Sequence, residues 1–273
     1  MSMPELPEVE TIVNGLRGPL IGRTVTGVRV RWENIVVTSA VAEFGRRIRG
    51  QRILGIRRRG KYLVFELSRG DRLIIHLKMT GQLMLRPGDA PADPHGHTIF
   101  DLDDGNQLRF IDPRKFGRVY LVADEKEVVG NLGPEPLADD FTLAGFVALV
   151  RKRKGALKPL LLNQQFIAGI GNIYADEALF VAGIHPQRKA DTLTDGEIER
   201  LYQAIRQVLR QALADQGTTF DGAYRQVDGR EGRHQENLMV FRRKGQPCPC
   251  CGGAIKRIVV GGRGTYFCPR CQG

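Results

Sequence analysis

Apolar positions change their period along this chain, and the changes divide it. Val9, Ile12, Val13 and Leu16 fall at i, i+3, i+4 and i+7, a single buried stripe, so residues 7–17 read as a short helix. Pro7 suits a first helical position, Glu8 and Glu10 favour the positive end of the helix dipole, and Gly18-Pro19 ends the pattern. From Thr24 to about Ala123 the period falls to two. Residues 24–30, 62–67, 73–77, 97–102, 107–110 and 118–122 are β-branched or alternating and read as strands. Turn residues separate them at 68–71, 87–89 and 103–106. Several short strands at this spacing predict an antiparallel β-sandwich.

After Asn131-Leu132-Gly133-Pro134-Glu135-Pro136-Leu137, a linker by composition, the period becomes helical. The clearest helix spans 195–215, with Thr194 and Glu197 as a capping box and Ile198, Leu201, Ile205, Val208, Leu209 and Ala212 as its buried face. Two earlier helices, 155–164 and 172–182, are joined by the glycine-bearing 165–171, whose glycines permit tight turns. The polar segment 217–237, rich in Gly, Asp and Arg, reads as a mobile, functional loop.

Composition narrows the class. The chain has 273 residues, 42% of them apolar, enough for a real core and for two domains. A formal charge of +11 points to a polyanionic partner, nucleic acid first and an anionic membrane second. No apolar run approaches the roughly 20 residues of a membrane span. Glu5, Glu8 and Glu10 sit where a signal peptide would carry positive charge, so a soluble intracellular protein is expected. In that compartment its five cysteines are not expected to form disulfides.

Cys248-x2-Cys251 and Cys268-x2-Cys271 lie sixteen residues apart, with a β-hairpin pattern between them and Gly261-Gly262-Arg263-Gly264 at its tip. Four thiolates suit one tetrahedral structural Zn²⁺, with an iron–sulfur site the lesser alternative and Cys250 a rival to Cys251 as ligand. In a basic protein, Arg263 among glycines favours a phosphate contact over a solvated turn. Arg46, Arg47, Arg49, Arg52, Arg57, Arg58, Arg59 and Lys61 form a basic stripe that suits duplex phosphates, although a charge run is usually only a solvated face. Asp112-Pro113-Arg114-Lys115-Phe116-Gly117 interrupts the strand pattern and can present Arg114 and Phe116 as a probe of a base stack, with Met79 as a second wedge. Taken alone, Met79 and Phe116 are more often core residues, and His76 more often a structural histidine.

Near the start, Met3-Pro4-Glu5 holds a different chemistry. An N-terminal proline is a secondary amine that can attack a sugar carbon and form an iminium, and Glu5 beside it can move protons. While Met1-Ser2-Met3 stays attached, the nitrogen of Pro4 is a non-nucleophilic amide.

These residues resemble the bacterial formamidopyrimidine-DNA glycosylase family. The resemblance is carried by Pro4-Glu5-Leu6-Pro7-Glu8-Val9-Glu10-Thr11, Arg59-Gly60-Lys61-Tyr62-Leu63, the 112–117 turn, Leu132-Gly133-Pro134-Glu135-Pro136-Leu137, Gly171-Asn172-Ile173-Tyr174 and the paired cysteines. It spans the chain from Pro4 to Gln272. It implies an α+β multidomain protein. An N-terminal antiparallel sandwich with a packed helix would span 4–130, and a hinge linker 131–141. A helical DNA-binding domain with a helix-two-turn-helix and a lesion loop would span 142–240, and a zinc finger 241–273. DNA would bind in the cleft between the domains.

The resemblance also implies roles. Pro4 is the nucleophile and Glu5 the acid/base, with Glu8 supporting the site. Lys61, His76, Asn172 and Arg263 hold phosphates around the lesion. Met79, Arg114 and Phe116 fill the gap left by the extruded base. Lys158 lies in the family's Lys-Pro motif near the cleft. The segment 217–233 closes over the base. The loop 218–237 departs from relatives in length and composition, and Thr218, Thr219 and Tyr224 are candidate contacts chosen from this chain alone. The implied activity is base-excision repair of 8-oxoguanine and formamidopyrimidines by a bifunctional glycosylase and abasic-site lyase. It implies a protein carrying one zinc, acting on double-stranded DNA in the bacterial cytoplasm at the nucleoid, and nothing in the sequence suggests anything but a monomer. Two alternatives remain at this level: an endonuclease VIII-like glycosylase for oxidised pyrimidines, and a non-catalytic binder of damaged DNA if Met1-Ser2-Met3 is retained.

Overall fold

A computed structural model of the chain describes residues 3–222 and 224–273. They form two compact units: residues up to Asn131 together with Asp215–Arg233, and Leu132–Ala214 together with His234–Gly273.

The first unit begins with α1, Leu6–Leu20. Glu5 is its extended N-cap, and the Glu5 N–H donates to the Glu8 carboxylate at 2.8 Å, the return half of a capping box. The helix runs through Gly18-Pro19 to Leu20, beyond the expected end. Proline's fixed φ is helical, and so near the C-terminus its missing N–H costs a single bond. The stripe of Val9, Ile12, Val13 and Leu16 is buried, together with Leu6 and Leu20.

Next come β1 Val25–Val30, α2 Val41–Ile48, β2 Ile53–Arg59, β3 Tyr62–Leu67, β4 Arg72–His76, β5 Gln82–Pro87, β6 Gly96–Leu102, β7 Asn106–Ile111, β8 Arg118–Val122 and the short α3 Lys126–Val129. The strands make two four-stranded sheets, ordered β1-β6-β7-β5 and β2-β3-β4-β8, with every named pairing antiparallel. The inner faces and the α1 stripe share one core that includes Phe44, Phe65, Phe100 and Phe110. This is the expected sandwich. It also holds elements that the alternation did not reveal: α2, β2 and β5.

The sequence reads 217–237 as a mobile loop, but its described residues up to Arg233 are tied down. The Arg233 N–H donates to the Asp215 carbonyl at 2.9 Å and closes the base of the segment. The Gln82 amide reaches the Gly222 carbonyl at 3.1 Å. Tyr224 sits in the sandwich core.

The second unit contains α4 Leu143–Arg151, α5 Leu157–Leu162, α6 Asn172–Val181 and α7 Asp195–Ala214, then the hairpin of β9 Lys256–Val260 and β10 Arg263–Phe267. The expected capping box opens α7: the Thr194 N–H donates to the Glu197 carboxylate at 2.8 Å, and the Glu197 N–H to the Thr194 hydroxyl at 3.3 Å. Between α5 and α6 the chain makes two turns stitched by Gln164. Its side-chain amide donates to the Ile170 carbonyl at 2.8 Å and its Oε1 accepts the Gly169 N–H at 2.9 Å. Among the described residues, no helix is long and apolar enough to cross a membrane.

Candidate active site and nucleic-acid contacts

Pro4 is buried at the start of α1, and Glu5 and Glu8 beside it are each 1% exposed. Two buried carboxylates within four residues need partners. Glu8 spends its two oxygens on different elements: Oε2 on the Glu5 N–H, and Oε1 on the Thr218 N–H at 2.8 Å. The residue after the proline and the returning segment are therefore held by one carboxylate. Met3, which acylates the Pro4 nitrogen, is among the described residues, and Met1 and Ser2 lie outside them.

Lys61 sits in the two-residue turn between β2 and β3 and is 5% exposed. His76 ends β4 opposite Tyr62, whose ring meets it edge-on at 4.5 Å. Burial, then the charges of Lys78 and Lys61, push the His76 imidazole down to about 3. Its Nδ1 accepts the Lys78 N–H at 2.9 Å, which leaves the proton on Nε2. Lys61 and His76 are thus brought together as a cation and a neutral donor.

Met79, Arg114 and Phe116 also meet. The Arg114 guanidinium lies over the Phe116 ring, 4.7 Å from its centroid, and its Nη1 is 3.6 Å from the Met79 sulfur. Phe116 is 44% exposed, a large aromatic with no core to fill.

In the second unit, Asn172 opens α6 after an extended Gly171. Its Nδ2 donates to the Gly264 carbonyl at 3.1 Å, using one of its two N–H groups. Its Oδ1 is buried without a hydrogen bond. That contact joins the helix N-terminus, an anion-attracting position, to the hairpin tip that carries exposed Arg263. Gly261 and Gly262 have φ of 56° and 73°, the tight-hairpin geometry that favours glycine.

Lys158 is fully buried. Its ammonium pairs with Asp176 and also lies 3.5 Å from the Asn172 carbonyl. Burial pushes the Asp176 carboxyl upward against the pull of Lys158, and its other oxygen accepts the Tyr266 N–H at 3.0 Å. Lys158 therefore reaches this site through Asn172 and the hairpin.

Of the proposed loop contacts, Thr218 is held by Glu8 through its backbone. The Thr219 hydroxyl donates to the Tyr224 carbonyl at 3.1 Å and accepts the Gly232 N–H at 2.9 Å. The Tyr224 hydroxyl donates to the Gln216 carbonyl at 3.1 Å, and its ring is 4% exposed.

The sulfurs of Cys248, Cys251, Cys268 and Cys271 all lie within 4.8 Å of one another, with Cys251 to Cys268 at 3.5 Å and Cys248 to Cys271 at 3.8 Å. Four thiolates about 2.3 Å from one tetrahedral zinc stand about 3.8 Å apart, so this donor set fits the ion. Cys250 is exposed and outside the cluster. The Cys268 N–H donates to Gln272 Oε1 at 2.9 Å, which fixes the second knuckle.

Sequence reasoning gave no role to Asp112, although it heads the 112–117 turn, nor to Thr80, Asp176 and Glu177. Glu177 is buried with its carboxylate accepting the N–H groups of Met239, Val240 and Phe241 at 2.8, 3.0 and 2.8 Å. Acidic residues inside apolar stretches were the available signal, since a carboxylate is buried only where donors wait for it.

Known proteins match this geometry along the whole chain. Residues 3–119 match the formamidopyrimidine-DNA glycosylase N-terminal domain, residues 132–222 the H2TH domain of the same enzymes, and residues 245–273 the zinc finger found in FPG and IleRS. A formamidopyrimidine-DNA glycosylase of Herpetosiphon aurantiacus is 47% identical over 274 residues, covering 99% of this chain and 100% of the relative. The crystal structure of the MutM (Fpg) protein of Thermus thermophilus superposes with a TM-score of 0.90 at 44% identity, covering 99% of both chains. That of the Lactococcus lactis Fpg (MutM) in complex with FAPY-dG-containing DNA gives 0.90 at 36% identity, covering 98% of this chain and 99% of the other. A sandwich led by a buried Pro-Glu helix start, with a helix-two-turn-helix and a four-cysteine hairpin, defines a zinc-bearing DNA-repair class. The chain belongs to the formamidopyrimidine-DNA glycosylase family.

Proposed function

We propose that this chain excises oxidised purines, formamidopyrimidines and 8-oxoguanine, from duplex DNA and then cuts the strand at the abasic site, as a base-excision-repair glycosylase and lyase. The observation that carries this reading is the start of α1, where Pro4 is buried beside Glu5 and Glu8. With residues 1–3 removed, the secondary amine of Pro4 attacks the deoxyribose anomeric carbon. The bond to the damaged base breaks, and the base leaves with a proton. Glu5 protonates the ring oxygen, the ring opens, and the nitrogen lone pair forms the iminium. The iminium acidifies the adjacent sugar hydrogens. Loss of one expels the 3′ phosphate, and a second elimination expels the 5′ phosphate.

Other residues bind and orient. Lys61, His76, Asn172 and Arg263 take phosphates, and Met79, Arg114 and Phe116 fill the space vacated by the extruded base. Zinc, held by Cys248, Cys251, Cys268 and Cys271, supplies structure and no chemistry, keeping Arg263 on a rigid tip. A net charge of +11 supports a partner as anionic as DNA. We read the protein as a monomer working on the nucleoid in the cytoplasm.

Borohydride trapping tests the mechanism. Protein whose mass shows a start at Pro4 is incubated with an 8-oxoguanine duplex and borohydride, beside protein that retains residues 1–3. The first should form a covalent adduct and the second should bind DNA without one. Neither adduct nor cleavage from protein with a proven free Pro4 would overturn the enzyme reading.

A further inference from the structure

Asp112 is fully buried, and nothing in the reaction above uses it. It follows β7 at the head of the 112–117 turn. Its Oδ1 accepts the Thr80 hydroxyl at 2.5 Å and the Arg114 N–H at 3.2 Å, and its Oδ2 accepts the Gly117 N–H at 2.7 Å. Its carbonyl accepts the Lys115 N–H at 3.2 Å and faces His97 Nε2 at 2.8 Å, and its N–H donates to the His95 carbonyl at 2.9 Å. Three of these bonds keep the 112–117 turn closed on itself. The bond from Thr80 is different, because Thr80 belongs to the turn after β4 and follows Met79 directly.

A second link joins the same two turns. A Cβ at Gly81 would collide with Cε2 of the Phe110 ring, and a Cβ at Gly117 would collide with its Cζ. Both turns therefore close on one buried ring, and only glycine permits the approach. Each turn also holds a lysine in the left-handed region, Lys78 at φ 55° and Lys115 at φ 58°. One precedes Met79 and the other Phe116. Side chains adopt that conformation where the surroundings hold them there.

We propose that Asp112 is a positioning residue whose bond to Thr80 makes Met79, Arg114 and Phe116 a single rigid wedge. The proposal rests on the reading above that these three replace the extruded base. Two independently moving turns would have to be ordered as they entered the base stack. A clipped pair is ordered beforehand, so insertion carries no such cost. The step that depends on the clip is extrusion of the base, while chemistry at a sugar that has already lost its base depends on it less.

The test compares single-turnover excision of 8-oxoguanine with cleavage of a preformed abasic site, for wild type, Thr80→Val and Thr80→Ser. Valine keeps the volume and removes the donor, and serine restores it. Thr80→Val should lower excision about tenfold and abasic-site cleavage by less than about threefold, and Thr80→Ser should recover most of the loss. A 2-aminopurine placed opposite the lesion should show a smaller fluorescence rise with the valine variant, in step with the excision loss. Equal losses in both reactions, or no loss in excision, overturn the clip. Should Thr80→Val melt below the assay temperature, Thr80→Ala at a lower temperature makes the same comparison under the same criteria. Failure of wild type with a free Pro4 in both reactions would instead remove the glycosylase reading, so the two failures are distinct.

Discussion

Burial and two neighbouring lysines keep His76 uncharged, and this makes it useful next to Lys61. A neutral imidazole with its proton on Nε2 can donate to a phosphate oxygen without adding a third cation to the cluster. The same depression has a cost in stability. The ordinary value is 6.5 and the folded value about 3, so between those limits the unfolded chain binds a proton that the folded chain refuses. Stability is therefore complete above about pH 6.5 and declines as the pH falls toward 3. At pH 5 the loss from this group should be about 2 kcal/mol. Urea unfolding of wild type and His76→Phe at pH 7 and pH 5 measures it. Wild type should lose more stability on acidification than the variant by about that amount, and parallel losses would show that His76 is not the group responsible. Lys158 shows a different residue-scale economy. A fully buried ammonium is tolerable because Asp176 faces it, and that carboxylate also receives the Tyr266 N–H of the hairpin.

At the scale of elements, the hairpin of β9 and β10 has a thin apolar base and depends on its metal. Phe180, Val240, Ile255 and the sulfurs of Cys248 and Cys268 form its small cluster. Cys251→Ser should release zinc and weaken DNA binding by tenfold or more, about 1.4 kcal/mol, with the sandwich still folded. Cys250→Ser should keep one zinc per chain. Metal content and DNA affinity measured on the two variants check both statements, and zinc lost from the Cys250 variant would reassign the fourth ligand. The cysteine spacing made this element readable in advance, because four thiolates at such intervals have few other uses. Other elements were concealed by charge. In α2, Arg46 and Arg47 share the helix with buried Phe44 and Ile48, and in β2 three consecutive arginines follow buried Ile56. The basic stripe hid both. Arg47 pairs with Asp71 at 2.6 Å, Arg58 with Glu10 at 2.8 Å, and Arg57 with Glu125, so part of that stripe serves the fold. Lys61, Arg114, Phe116 and Asn172 were legible as candidates because family motifs carry them. Asp112 and Thr80 received no role from sequence because the bond that joins them spans 32 residues, which no local pattern encodes.

Across the whole molecule, 41 lysines and arginines stand against 30 acids, but a count of charges does not say how many meet DNA. The salt dependence of binding does. Each phosphate neutralised by a cation releases counterions and contributes about −0.9 to the slope of log K against log salt. Cations already paired inside the fold release none. Arg263 is exposed at the hairpin tip, and Arg47 is tied to Asp71. Arg263→Ala should therefore weaken binding to damaged and undamaged duplexes alike and reduce the slope by about one. Arg47→Ala should leave the slope unchanged, whatever it does to stability. Lys158→Met gives the third comparison, because a buried ammonium cannot displace a counterion from DNA: affinity should fall as Asn172 and the hairpin loosen, with the slope retained. A slope that fell with Lys158→Met would mean that this ammonium reaches a phosphate in the complex, and a slope indifferent to Arg263→Ala would remove the hairpin tip from the interface.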